Sequence, residues 1–485
     1  MKDFNFYLEQ IGEIGFTEEI VHSIVYVSGL PQAKPSEVVM FESGEIGQVL
    51  SLGEDLVEVL LLTRSELRVG TKVVRTDELL QVPVGESLLG RAFDPLVKPI
   101  DDGRLIGGLK VSPIDTQPHG IIGRKQVSES LETGVTIVDL IIPLAKGQRE
   151  LVIGDRKTGK TGFLLQVMLT QARMGTVCIY CVIGQRLIDI KNRFEFMEEM
   201  GIKKNCLIVA TSSSDAPGLI FLTPYSAMTI AEFFRDQGKD VLLILDDMTT
   251  HARYYREISL LAKRFPGRSS YPGDIFYTQA KLIERAGNYK KGSITCLPVA
   301  EAVLGDLSGY IQTNLMSMTD GHIFFDIDLY NQGRRPAVNP FLSVTRSGHQ
   351  VQTFLQQDLG RKLTSFLVEY EKMKEFMHFG AEAGETVQNV IELGRKLDIF
   401  FNQPLGKTIP VNANILLAGG LWSGVWRGGD DEDFKRKIEE VILNYETNKG
   451  YKTKVDELIK SCNKFTDLVN SLRMDSEVLG VAQKI

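Results

Sequence analysis

The sequence predicts an α/β protein in three parts: an N-terminal β-barrel, a central domain built on a mainly parallel sheet, and a C-terminal α-helical bundle. Three observations predict it. Short β-rich runs, "EIGQVLSLG" (45–53), "LVEVLLLT" (56–63) and "TKVVRTDELLQVPV" (71–84), are separated by glycine or charged turns, the spacing of a small barrel or sandwich. Next, "ELVIGD" (150–155), "TVCIYCVIG" (176–184), "CLIVAT" (206–211) and "VLLILDD" (241–247) are apolar on consecutive positions, as parallel strands covered on both faces are. They alternate with helix-like segments such as "RLIDIKNRFEFMEEMG" (186–201), which predicts an α/β sheet domain. Last, the apolar residues after about 353 follow helical spacing.

These readings place the barrel at 1–80, the sheet domain at 81–352 and the helical domain at 353–485. A chain of 485 residues is too long for one ordinary domain. In the helical part Leu363, Phe366, Leu367, Tyr370, Met373, Phe376 and Met377 form one stripe. Phe434, Ile438, Val441, Ile442 and Tyr445 form a second, and Val455, Leu458, Ile459, Cys462, Phe465, Leu468, Val469 and Leu472 a third. Stripes of this kind are the packed seams of a bundle. "GGDDED" (428–433) reads as an exposed turn.

Composition narrows the function. With 43% hydrophobic and 24% charged residues the chain has the mix of a soluble globular protein. A net charge of −7 and a pI near 5.6 argue against a nucleic-acid partner, which calls for a basic stripe. No apolar run approaches the ~20 residues of a membrane span, so no direct membrane insertion is expected. "MKDFNFYLEQ" lacks the basic and apolar segments of a signal peptide, and an intracellular protein is expected. Cys178 and Cys181 form a C-x-x-C, but on a strand, positions three apart point to opposite faces, so core packing is the better reading. The six histidines show no ligand spacing.

The chemistry begins at residue 154. Gly154, Asp155, Arg156, Lys157, Thr158, Gly159, Lys160 and Thr161 match the Walker A pattern G-x-x-x-x-G-K-[ST] at every fixed position, after a strand and before a helix. Gly154 permits the tight turn, and the loop N–H groups with the helix N-terminus converge on phosphate oxygens. Lys160 reaches the outer phosphates, and Thr161 offers its hydroxyl to Mg²⁺, which prefers oxygen ligands. The expected ligands are therefore ATP or ADP with Mg²⁺, in a RecA-like P-loop domain. "VLLILDDMT" (241–249) ends in Asp246 and Asp247, where a Walker-B carboxylate holds the metal through water. Spacing alone leaves open which of the two works; Asp246 is taken as the candidate.

In its motifs the sequence resembles the α subunits of F-type ATP synthases. "GQRELVIGDRKTGKT" (147–161), "YREISLL" (255–261), "PGDIFY" (272–277), "MTDGHIFF" (318–325) and "RRPAVNPFLSVTRSG" (334–348) carry the resemblance, in order, from about residue 8 to the C-terminus. It implies a hexameric ring of alternating α and β subunits (three of each) around a rotating γ-type central stalk, driven by proton or sodium flow through a membrane sector. It implies a peripheral complex on the cytoplasmic side of a bacterial inner membrane, or an organelle-encoded equivalent. In that family the β subunits turn ATP over, while α subunits bind nucleotide without doing so. Gln185 then stands where catalytic relatives have a Glu, and an amide is a poor general base. Gln also orients water in some GTPases, so the exchange by itself leaves activity open. The resemblance assigns Arg346 as an arginine finger given to the neighbouring β subunit, a role worth roughly 10³ to 10⁵ in rate. It assigns Tyr330, Arg335 and Pro336 to the adenine-side wall and Gln403 to a polar adenine contact, with Leu405 where a second glutamine is expected.

The sequence also departs from that pattern. Lys157 replaces a usual Gln beside the phosphates, Gly162 follows the loop threonine, and Gln312 replaces a usual Pro. About seven residues precede the matched region, fewer than the family's δ-docking helix needs, so a divergent member is expected and a peripheral-stalk contact stays open. Two other classes compete. A self-sufficient homohexameric secretion-export ATPase would need a carboxylate at Gln185. An RNA-translocating ATPase would need a basic, aromatic N-terminal barrel.

Overall fold

The computed structural model describes residues 3–64, 67–378, 384–426 and 430–480. In chain order the first part comprises α1 (Phe4–Ile11), β1 (Ile14–Val21), β2 (Ile24–Ser28), β3 (Glu37–Phe41), β4 (Ile46–Leu52), β5 (Val57–Leu61), β6 (Lys72–Leu79), β7 (Gln81–Val84), β8 (Ala92–Phe93) and β9 (Lys110–Pro113). The middle part comprises β10 (Ser130–Leu131), α2 (Thr136–Ile141), β11 (Leu144–Ala145), β12 (Leu151–Gly154), α3 (Lys160–Arg173), β13 (Val177–Gln185), α4 (Leu187–Glu199), β14 (Cys206–Ser212), α5 (Pro217–Asp236), β15 (Asp240–Asp246) and α6 (Met248–Leu261). It continues through α7 (Ile275–Ile283), β16 (Gly287–Asn288), β17 (Ser293–Glu301), α8 (Tyr310–Met318), β18 (Gly321–Phe325), α9 (Ile327–Asn331) and β19 (Val344–Thr345). The last part is helical: α10 (Phe354–His378), α11 (Glu385–Phe401), α12 (Val411–Ser423), α13 (Asp431–Thr447), α14 (Lys449–Ser461) and α15 (Phe465–Met474).

The chain divides into two compact units. The first holds Met1–Lys125, Gly175–Glu301 and Leu307–Thr319; the second holds Gln126–Met174, Ala302–Asp306 and Asp320–Ile485.

In the first unit, β1 to β6 close into a six-stranded barrel in the order β1-β2-β5-β4-β3-β6. Val25, Val27, Val39, Phe41, Val59 and Val73 fill it. Each such side chain contributes about 1.5–3 kcal/mol on burial. Arg75 is buried in the wall and paired with Glu37 at 3.1 Å and Glu13 at 2.9 Å. The sequence reading gave only strands before residue 80, yet the chain opens with a short helix. Asp3 caps α1 by accepting from Phe6 N at 2.9 Å, and Gly12 ends it with φ of 72°. The same unit carries the parallel strands β8-β14-β13-β15-β17, with β16 antiparallel on β17. Every residue of β14 and the first seven of β13 are buried, which explains their unbroken apolar runs. Cys178 pairs in register with Cys206, whereas Cys181 lies against Asp246 and Cys296, so the C-x-x-C faces two neighbourhoods.

In the second unit β12 pairs parallel with β18, and β19 runs antiparallel to β18. Trp422 of α12 joins α10 and α15, its ring meeting Phe366 and Phe465 edge-on at 5.4 and 5.6 Å. The first predicted stripe outlasts its core: Leu363, Leu367 and Tyr370 are buried, but Phe376 and Met377 are exposed. The predicted turn at 428–433 is corrected in part. Asp430 caps α13 through the Asp433 N–H at 2.7 Å, so 431–433 form the helix's first turn, where acidic residues suit the dipole. Gly428 and Gly429 lie outside the described residues. Among the described residues, no helix is long and apolar enough to cross a membrane.

Candidate functional site

The second unit holds the phosphate loop. Gly154 ends β12 opposite Phe325 in β18, and a Cβ there would lie 2.4 Å from the Phe325 carbonyl oxygen. Glycine is therefore required by close backbone approach. Asp155 Oδ2 accepts from Gly305 N at 2.8 Å, and Thr158 Oγ1 donates to Asp155 O at 2.8 Å. These bonds fix the loop shape before any ligand binds. Lys157 and Gly159 take left-handed φ of 63° and 93°, after which α3 starts at Lys160. Arg156, Lys157 and Thr161 are exposed on this turn. Lys160 Nζ donates to Gly154 O at 2.8 Å and to Asp155 O at 2.5 Å, folded onto its own loop. The donor set suits a polyphosphate: two lysines, a helix N-terminus and an exposed threonine hydroxyl that fits a Mg²⁺ ligand.

Beside the loop lies a cavity of about 220 Å³ lined by Val135, Phe163, Tyr330, Pro336, Gln403 and Pro404, among others. Tyr330 comes from α9, and its ring lies 3.9 Å from where a Cβ on Gly159 would sit. The Arg335 guanidinium sits 3.5 Å from the Tyr330 ring centroid and donates to Tyr330 O and Arg334 O, each at 2.8 Å. Stacking on a planar cation fixes the tyrosine as a wall. The structure therefore gathers Gly159, Tyr330, Arg335, Pro336 and Gln403 around one space. The amide of Gln403 is used by the chain itself. Its Oε1 accepts from Thr136 N at 3.1 Å, and its Nε2 donates to Gly134 O at 2.6 Å and to Lys407 O. Gln166 repeats this from α3: Oε1 accepts from Gly406 N at 2.8 Å, and Nε2 donates to Lys407 O. The sequence reading passed over Val135, Phe163 and Gln166. The last two had a signal, because Phe163 and Gln166 follow Gly159 at four and seven residues and share a helix face with the loop end.

In the first unit Gln185 and Asp246 end neighbouring parallel strands. Asp246 Oδ2 accepts from Tyr180 Oη at 2.9 Å and from Arg193 Nη2 at 2.8 Å. Gln185 Nε2 donates to Asp246 O at 3.1 Å, and Gln185 Oε1 accepts from Arg193 Nη2 at 2.8 Å. Asp247 has a different task. It caps α6 through Thr250 N at 2.5 Å and Thr250 Oγ1 at 3.1 Å. Burial first, and then the charge of Asp246, pushes its carboxyl up to about 7. The two aspartates that spacing could not separate are thus distinct: one caps a helix, the other meets an arginine.

Arg346 follows β19 in the second unit. Its backbone N–H donates to Asp320 O at 3.0 Å. Thr345 beside it donates to Pro143 O at 3.0 Å and accepts from Gln148 Nε2 at 3.0 Å. A Cβ on Gly348 would lie 1.6 Å from Pro143 O, so the turn after Arg346 admits only glycine. Gln148 Nε2 also donates to the buried Glu150 at 2.6 Å, and burial holds that carboxyl well above the usual carboxylate range. The side chain of Arg346 is exposed and, among the described residues, has no hydrogen-bond or ion-pair partner.

A family model described as the ATP synthase alpha/beta family, nucleotide-binding domain, matches residues 134–345. The span contains the phosphate loop, Gln185, Asp246, Tyr330, Arg335 and Arg334, and stops one residue short of Arg346. The chain is similar to the ATP synthase subunit alpha of Dictyoglomus turgidum, at 39% identity over 92% of this chain and 88% of that one. It is 39% identical to the ATP synthase subunit alpha of Neorickettsia sennetsu, over 86% of this chain and 84% of that one. It is 40% identical to the ATP synthase subunit alpha 1 of Paraburkholderia xenovorans, over 85% and 82%.

Proposed function

The chain belongs to the ATP synthase α-subunit family, and from that membership we propose that it is the non-catalytic nucleotide-binding α-type subunit of a rotary F-type ATP synthase or ATPase. It binds ATP or ADP and alternates with catalytic β subunits in a hexameric ring around a γ-type stalk. The assembly is peripheral, on the cytoplasmic side of a bacterial inner membrane, and couples ATP synthesis or hydrolysis to ion transport. The division into residues 1–80, 81–352 and 353–485 is the working domain scheme.

The observation that carries the non-catalytic reading is Gln185. Its position calls for a carboxylate in a catalytic site, and both ends of its amide are engaged with Asp246 and Arg193. On this reading Lys160 and the loop N–H groups hold the phosphates, and Tyr330, with Arg335 behind it, walls the base. Thr161 and, through water, Asp246 would hold Mg²⁺, which when bound offsets phosphate charge. Arg346 serves a different nucleotide. Its anchored backbone and exposed head suit donation to a neighbouring subunit, where a guanidinium stabilises charge on the transferring phosphoryl group.

The test is ATP turnover of the purified chain, alone and mixed with the β-type subunit from its own source, each repeated with Arg346→Ala. No turnover alone, turnover on mixing and collapse with Arg346→Ala are expected. Turnover by the chain alone would overturn the reading of Gln185 and reopen the homohexameric export-motor class.

A further inference from the structure

Arg193 is buried, with its side chain 7% exposed, and faces an Asp246 carboxylate that is 8% exposed. One guanidinium makes four contacts. It donates to Asp246 Oδ2 at 2.8 Å, to Gln185 Oε1 at 2.8 Å and to Asp189 O at 2.6 Å, and it lies 5.1 Å from the Tyr180 ring centroid. Asp246 Oδ2 is thereby saturated by Arg193 and Tyr180 Oη. Arg193 Nε is buried and, among the described residues, has no acceptor. An arginine desolvated this fully, with one N–H unpaired, is costly as a mere filler of the core. Its evident use is electrostatic. A carboxylate that holds a hydrated divalent cation does so through its negative charge, and here a permanent cation already sits on that charge.

We propose that Arg193 is an internal substitute for metal charge: it neutralises Asp246 and fixes its carboxylate, so Mg²⁺ adds little to nucleotide affinity in this chain. The inference rests on the reading of Asp246 as the metal-side carboxylate. Arg193 acts through Asp246 and is a positioning residue.

Equilibrium binding of a fluorescent ATP analogue to the full chain, in Mg²⁺ and in excess EDTA, reads the effect directly without turnover. For the wild type the two affinities are expected to agree within about tenfold, the scale of one charge-assisted bond. Arg193→Met keeps the stem and removes the cation; it should widen the Mg²⁺-to-EDTA ratio by at least about tenfold. Adding Asp246→Asn to that variant should abolish the gain. A wild-type ratio above about a hundredfold overturns the inference and needs no variant. So does a folded Arg193→Met variant with an unchanged ratio. A double variant that keeps the wide ratio overturns the assignment of Asp246. Absence of binding in both conditions instead overturns the nucleotide-binding reading on which all of this rests.

Discussion

The ends of β15 and β19 each present a charged group of interest, and they treat it in opposite ways. At the end of β15 one carboxylate oxygen of Asp246, Oδ2, is held by its own chain, through Arg193 and Tyr180, with Gln185 bonded to its carbonyl. At the end of β19 the chain spends its bonds on the backbone and neighbours of Arg346 and leaves the guanidinium exposed. A group that works inside the chain is held by internal partners. A group meant for another chain gains from a rigid base and an open head, because no internal bond must break before it acts.

The sharpest way to break this contrast is Arg346→Ala in the mixture with the β-type subunit. Turnover should fall roughly 10³- to 10⁵-fold while ATP binding by this chain alone is unchanged. A matching loss of binding in the isolated chain would place Arg346 at its own nucleotide and dissolve the comparison. On the internal side, His251 gives a pH test. It is fully buried, donates from Nε2 to Phe221 O at 3.2 Å, and is pushed down to about 4 by burial. Unfolded, it takes up a proton below about 6.5. Between those values the unfolded state binds more protons, so the stability is present above about pH 6.5 and is lost as pH falls toward 4. The span corresponds to about 3 kcal/mol. His251→Phe should flatten the urea midpoint against pH over that window, and an unchanged slope would remove His251 from the account.

Smaller effects are expected at the braces of the 402–408 segment. Gln403→Ala leaves the buried Thr136 N–H unpaired and should cost about 1–3 kcal/mol in urea unfolding; Gln166→Ala, whose partners Gly406 N and Lys407 O are partly open to solvent, should cost about 1 kcal/mol. A loss below about 0.5 kcal/mol, the level of an ordinary surface substitution, would show that the brace carries no weight. The smallest effect belongs to an exposed group with no internal task. Lys157→Gln should weaken ATP binding by less than about 1 kcal/mol, and the difference should shrink with added salt. A salt-independent loss would mean that Lys157 is more than a solvated charge.

Much of this was legible before the fold was known. "ELVIGD", "TVCIYCVIG", "CLIVAT" and "VLLILDD" became β12 to β15 because their apolar runs are continuous and bounded by turns. The short helix α1 was missed, since eight residues with one buried tyrosine make a weak pattern and the cap at Asp3 is a single side-chain bond. Phe376 and Met377 were over-read: their spacing extends the stripe, but periodicity cannot say where the partner helix stops.

By itself the sequence determined the order of barrel, sheet and helical parts and the phosphate loop, because these are written in contiguous residues whose geometry is local. The family likeness also belongs to the linear text. Tertiary structure alone decided that Asp247 caps a helix while Asp246 meets Arg193, a pair 53 residues apart. It alone decided that Gln403 spends its amide on Gly134, 269 residues away. Such assignments depend on which donors are left when every other buried polar group has found its partner, and that balance exists only in the folded chain.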